Sequence, residues 1–239
     1  MSIYKLSRYL DAIAQTTPYV TTSQLFEICQ DPWDWKTVGD HVNYKTVRIR
    51  KTLFIFFQGS QEKIDWVRNF SFKRKPYKDM PIEYKIHGGF LAAWKEVEDT
   101  IGALISDKTA VTRIIICGYS HGAALAALCH EYCWFHREDL DDGNNLIGFG
   151  FEPPRIFGSK EVPSALMKRW ANFTTFINCR DIVPHLPPKC FGFSHVGKIA
   201  YLGSLAKPKY GIFQSHYQAS VDFELRRTDT IVKIDAEQE

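Results

Sequence analysis

The chain has 239 residues, 45% of them apolar and 24% charged, a makeup that suits a folded globular protein and excludes a disordered or fibrous one. Thirty Lys and Arg against 27 Asp and Glu leave a net charge of +3, too small and too dispersed to argue for a nucleic-acid partner. No stretch approaches the roughly 18 uncharged apolar residues of a membrane span. Lys5, Arg8 and Asp11 interrupt the N-terminal run where a signal-peptide core would lie, so the expectation is a cytoplasmic protein, or a secreted one if a signal was trimmed.

In chain order, Ile3, Leu6, Leu10, Ile13 and Ala14 recur at a helical period. Residues 22–30 read as a second helix, capped by Thr22 or Ser23. Residues 1–40 are therefore expected to be an N-terminal helical segment. Residues 41–50 alternate polar and β-branched side chains, as an antiparallel strand does. Residues 52–57 are continuously apolar and predict a central strand. Residues 61–70 form a short amphipathic pattern: Ile64, Val67 and Phe70 are spaced by three, beside Trp66 and among charged residues. The basic and aromatic run 72–78 reads as a solvated loop, with attraction to anionic lipid as the alternative.

Residues 88–106 carry one apolar stripe and predict a helix. Residues 112–117 read as a buried strand, and Ala123 to Leu128 are strong helix formers. The acidic turn 139–145 lacks the spacing and the closing glutamate of a calcium loop. Residues 145–151 and 173–179 predict further buried strands, separated by a helix near 164–171. Alternating strands and helices indicate an α/β fold, with a mostly parallel central sheet covered on both faces. There is no internal repeat or low-complexity linker, so residues 1–239 are read as a single domain.

The six cysteines are read as reduced. Cys129, Cys133 and His136 share a helix face but lack a fourth ligand and the tighter spacing of a zinc site, so no metal is expected, nor any cofactor.

Gly118-Tyr119-Ser120-His121-Gly122 lies between the predicted strand and helix. Strand, G-x-S-x-G and helix make a nucleophile elbow, which exposes a serine at the top of a sheet. A serine needs a base within hydrogen-bond reach and a third group to orient that base. Asp181, just past the strand 173–179, is the leading carboxylate, and Glu152 is the second candidate. The base must follow it. His185 is too near Asp181 in sequence, while His195 and His216 remain, and position favours His216. The oxyanion donors would be the backbone N–H groups of Ser60, after the strand 52–57, and of His121.

These segments resemble the class 3 lipases, the group that contains the fungal triacylglycerol lipases. The likeness runs as ordered blocks over residues 51–217. Phe57-Gln58-Gly59-Ser60 is similar to F-R-G-[ST], Asp65-Trp66 to the D-W lid element, and His87-Gly88-Gly89-Phe90 to H-x-G-F. Gly118 to Ala126 resembles G-H-S-L-G-G-A-L-A. Phe149 to Arg155 resembles F-G-x-P-R with inserted residues, and Asn178 to Pro188 resembles N-x-x-D-x-V-P-x-L-P-P. Ser215-His216-Tyr217 is similar to the late D-H-x-x-Y block, without its aspartate and tyrosine. His195-Val196-Gly197 resembles an earlier H-x-G block that carries no catalytic histidine.

The resemblance implies an α/β-hydrolase fold, a Ser120–Asp181–His216 triad and an oxyanion hole at Ser60 and His121. It makes residues 61–70 a lid whose face of Ile64, Trp66, Val67 and Phe70 meets lipid on opening. The implied activity is hydrolysis of carboxylic acyl esters, as a triacylglycerol lipase or carboxylesterase, on an acyl ester or lipid substrate at a lipid–water interface. A phospholipase or aryl-ester esterase on the same fold is the alternative, and a catalytically silent lipase-like interaction module is the third reading.

Overall fold

The computed structural model describes residues 6–40, 42–59, 72–77, 84–140, 144–203 and 218–234. Its elements are α1 (Leu6–Thr16), β1 (Tyr19–Thr21), α2 (Thr22–Gln30), β2 (Lys36–Val38), β3 (Val42–Ile49), β4 (Thr52–Phe57), β5 (Arg74–Tyr77), β6 (Tyr84–His87), α3 (Gly88–Ile105), β7 (Arg113–Tyr119) and α4 (His121–His136). They continue with β8 (Leu146–Phe151), α5 (Ser164–Met167), β9 (Phe173–Asn178), β10 (Lys198–Leu202), α6 (Gln218–Arg227) and β11 (Ile231–Lys233).

The main sheet has the order β10-β9-β8-β7-β4-β3-β2. From β4 to β10 the neighbours are parallel; β3 and β2 continue it antiparallel. The central parallel strands β4, β7 and β8 read as nearly continuous apolar runs because both of their faces are covered. Along β4 the period of two sends Phe54 and Phe56 to one face and Leu53, Ile55 and Phe57 to the other. The first face packs against Leu10 and Ile13 of α1, Leu25 and Phe26 of α2, and Val221 and Leu225 of α6. The second meets α3, through Phe90, Trp94 and Ile101, and α4, through Ala124, Leu128 and Cys133. Helix α4 is buried on nearly every side, so its charged Glu131 needs a partner, supplied by Arg169 and the Tyr84 hydroxyl. All six cysteines are free thiols; Cys129 and Cys133 are core residues. No described helix is long and apolar enough to cross a membrane.

Three local expectations change. The cap of α2 is Thr21, whose side chain accepts from the Gln24 N–H while Gln24 answers the Thr21 N–H. Thr22 and Ser23 are drawn elsewhere: the Thr22 hydroxyl and the Ser23 N–H both reach Asp229 Oδ1 at 2.9 Å. These two bonds lie beside the antiparallel pair β1–β11, in which Val20 is opposite Val232. The run 72–78 is not simply a solvated loop, because Arg74–Tyr77 pairs antiparallel with Tyr84–His87. The helix near 164–171 is one α-turn, Ser164–Met167, followed by a 3-10 turn through Trp170.

Candidate active site

Ser120 sits between the last residue of β7 and the first of α4, with φ +54° and ψ −121°. A serine in that backbone conformation is strained. The two elbow glycines explain why the chain accepts it. A Cβ on Gly118 would stand 2.1 Å from the Gly122 carbonyl oxygen, and one on Gly122 would stand 2.3 Å from that of Phe57. Strand and helix therefore approach so closely that the connection has one residue in which to reverse. The Ser120 N–H is anchored on the Phe151 carbonyl at 2.8 Å, and only 4% of the residue is exposed.

The chain leaving β4 crosses the elbow. A Cβ on Gly59 would meet Tyr119 Cδ1 at 2.9 Å and Ser120 Cβ at 3.4 Å. The next residue, Ser60, lies outside the described residues, as do Ile64, Trp66, Val67 and Phe70 of the expected lid. His121 opens α4, where a backbone N–H has no acceptor within the helix. Its ring is half-buried and packs toward Phe90 at 5.5 Å between centroids.

Asp181 follows the end of β9 and is fully buried. Its N–H donates to the Asn178 carbonyl at 3.0 Å, and its Oδ1 accepts from the Val183 N–H at 2.9 Å. Glu152 stands between the two, at the end of β8. It is also fully buried, with φ +54°. The Glu152 N–H donates to the Phe176 carbonyl at 2.9 Å, and Oε1 accepts from the Asn178 N–H at 2.7 Å. Burial first, and then the charge of Asp181, push the Glu152 carboxyl well above the usual carboxylate range.

The histidines separate. His195 braces the loop beyond Asp181: its Nε2 donates to the Pro184 carbonyl at 2.8 Å. Burial, followed by the charge of Arg155, lowers its pKa to about 3, so the ring is neutral and occupied. Arg155 clamps the same loop through the carbonyls of His185 and Pro187. His185 is exposed. His216 falls outside the described residues, in the connection from β10 to α6.

The sequence reading missed a surface feature beside this loop. The rings of Phe72 and Phe191 stack at 5.2 Å, although 41% and 55% of the two residues are exposed. Lys73, Arg74, Lys75 and Lys189 around them are exposed too. The basic run at 72–78 was the visible signal; its aromatic partner lies more than a hundred residues away.

A lipase from Rhizomucor miehei is 30% identical over 175 residues, covering 69% of this chain and 46% of its own length. A secreted mono- and diacylglycerol lipase from Fusarium solani is 32% identical over 158 residues, covering 63% of this chain and 44% of its own. The chain thus spans less than half the length of these curated relatives. Among solved structures, the Rhizomucor miehei triacylglyceride lipase superposes with a TM-score of 0.62 at 25% identity, over 72% of this chain and 66% of the other. Another solved triacylglycerol lipase, 26% identical with a TM-score of 0.62 over 72% of this chain and 66% of its own, has a catalytic centre formed by a serine protease triad. A profile for lipase (class 3) matches residues 54–191, more than half of the chain, and the protein belongs to that family.

Proposed function

We propose that this chain is a serine hydrolase of carboxylic acyl esters, a triacylglycerol lipase or carboxylesterase. The observation that carries the reading is the Ser120 backbone, held at φ +54° between Gly118 and Gly122 at the carboxyl edge of the parallel sheet. Ser120 Oγ attacks the ester carbonyl while His216 takes its proton, and Asp181 orients the imidazole and stabilises its cation. The oxyanion is met by the N–H groups of Ser60 and His121. The intermediate collapses to an acyl-serine as the alkoxide leaves with the proton from His216. Water then repeats the sequence and releases the acid.

Residues 61–70 are proposed as a lid over this site. The Phe72–Phe191 pair with its cationic surround adjoins the end of that segment, and supports contact with a lipid–water interface. The test is a panel of 4-nitrophenyl esters from acetate to palmitate, alongside emulsified triglyceride and phospholipid. Ser120→Ala serves as the control. Hydrolysis that survives in Ser120→Ala would refute the assignment, and a preference for phospholipid would select the alternative head group.

A further inference from the structure

Glu152 combines two features that are costly together. It holds a backbone conformation that glycine takes without strain, and it places a carboxyl group where exposure is zero. Backbone strain of this kind persists where the surrounding structure holds a residue in place for its side chain.

Its oxygens are not treated alike. Oε1 has the Asn178 N–H at 2.7 Å, whereas Oε2 is buried with no donor among the described residues. The carboxyl lies in hydrogen-bonding contact with that of Asp181, which is equally buried. Two carboxylates offer only acceptors, so the contact becomes a bond when one of them carries a proton. Two such groups sharing a dry site cannot both ionise. Cys179 is a further titratable group that acts on Glu152, and as a thiolate it would oppose ionisation of Glu152 too.

We infer that Glu152 is a positioning residue: a buried, protonated acid whose O–H donates to the Asp181 carboxylate and fixes its orientation toward the base. The role rests on the triad proposed above. A neutral donor suits the task. It satisfies a lone pair of Asp181 without cancelling the charge that must stabilise an imidazolium, as an arginine or lysine there would. The Val183 N–H on Oδ1 and Glu152 thereby both hold Asp181. Glu152 is tied in turn to the end of β9 through Asn178.

The test uses the full chain and a soluble short-chain ester. Glu152→Leu removes the donor and should lower kcat/KM by about ten- to a hundredfold, the loss typical of a hydrogen bond to a charged group. Glu152→Gln copies the protonated acid, with Oε1 for the Asn178 N–H and Nε2 to donate to Asp181. It should rescue most of that loss, and remove any alkaline limb of the pH profile caused by ionisation of Glu152. Infrared spectra at neutral pH should show the C=O stretch of a protonated carboxyl that Glu152→Gln lacks. A Glu152→Gln variant as impaired as Asp181→Ala would overturn the proposal, because an ionised Glu152 would then be required. So would a folded, fully active Glu152→Leu, or the absence of the infrared band. If Glu152→Leu does not fold, the Gln profile and the band decide. The band reports the proton even if no ester is hydrolysed, so failure of the esterase reading stays distinguishable from failure of this one.

Discussion

A Cβ on Gly118 would lie 2.1 Å from the carbonyl oxygen of Gly122, so the residues that bracket Ser120 are in contact through backbone alone. Neither neighbour can retreat, because Gly118 pairs with both Phe57 and Gly150 in the sheet and Gly122 lies in the first turn of α4. Gly122→Ala should therefore cost about 1–3 kcal/mol or more as overpacking. At about 2–4 °C per kcal/mol for a chain of this size, calorimetry would show a clear drop in Tm. Labelling of Ser120 by a fluorophosphonate should slow in parallel, since the elbow has to open. An unchanged Tm would mean that α4 can shift without penalty.

Ser120 itself separates chemistry from strain. Ser120→Ala should lower ester hydrolysis by several orders of magnitude, as loss of a nucleophile does. Ser120→Gly should be equally inactive yet about 1 kcal/mol more stable than Ser120→Ala, because glycine accepts φ +54° freely. Equal melting temperatures for the two variants would show that the elbow stores no backbone strain.

The histidines differ in the kind of damage expected. His216→Ala should abolish turnover about as fully as Ser120→Ala, since triad members act as a unit. His195→Ala should mainly loosen the loop held through the Pro184 carbonyl, and so lower Tm. Complete loss of activity in His195→Ala, with full activity in His216→Ala, would move the base to the earlier histidine.

Acid stability follows from two depressed pKa values. His195 falls to about 3 and His130 to about 4, from an ordinary value of 6.5. Each ring binds its proton more readily in the unfolded chain, so its contribution is complete above pH 6.5. That contribution is lost as the pH falls toward 3 or 4. Urea midpoints should therefore decline from pH 6.5 downward, and His195→Gln should decline less steeply than the wild type. Parallel declines would place the His195 pKa near its unfolded value.

The exposed aromatic pair predicts surface binding. Phe72→Ser combined with Phe191→Ser should reduce sedimentation with vesicles of phosphatidylcholine and phosphatidylglycerol. Lys73→Glu with Lys75→Glu should weaken binding most at low salt. In the expected lid, Trp66→Ser with Val67→Ser should flatten any rise in rate beyond the solubility limit of the ester. Hydrolysis of a soluble ester should persist in all three double variants. Equal binding of wild type and variants to neutral and anionic vesicles would remove this surface from the interface.

What the sequence determined by itself is local. The largely apolar runs at 52–57, 112–117, 145–151 and 173–179 became β4, β7, β8 and β9 because a strand buried on both faces selects mostly apolar and β-branched side chains, Thr174 and Thr175 of β9 included. The elbow was legible because two glycines and a serine at fixed spacing answer a constraint set by near neighbours. Contacts between distant segments were settled by tertiary structure. Thr22 and Ser23 look like caps until Asp229, from the far end of the chain, takes their donors and leaves the cap to Thr21. Residues 74–77 look like a charged loop until Tyr84–His87 supplies the ladder for a strand. Phe72 finds Phe191 only on the folded surface. Glu152 is a distant alternative to Asp181 in sequence. In the fold, adjacent parallel strands end side by side, and burial of both carboxyls in one dry site turns a choice between two acids into a pair.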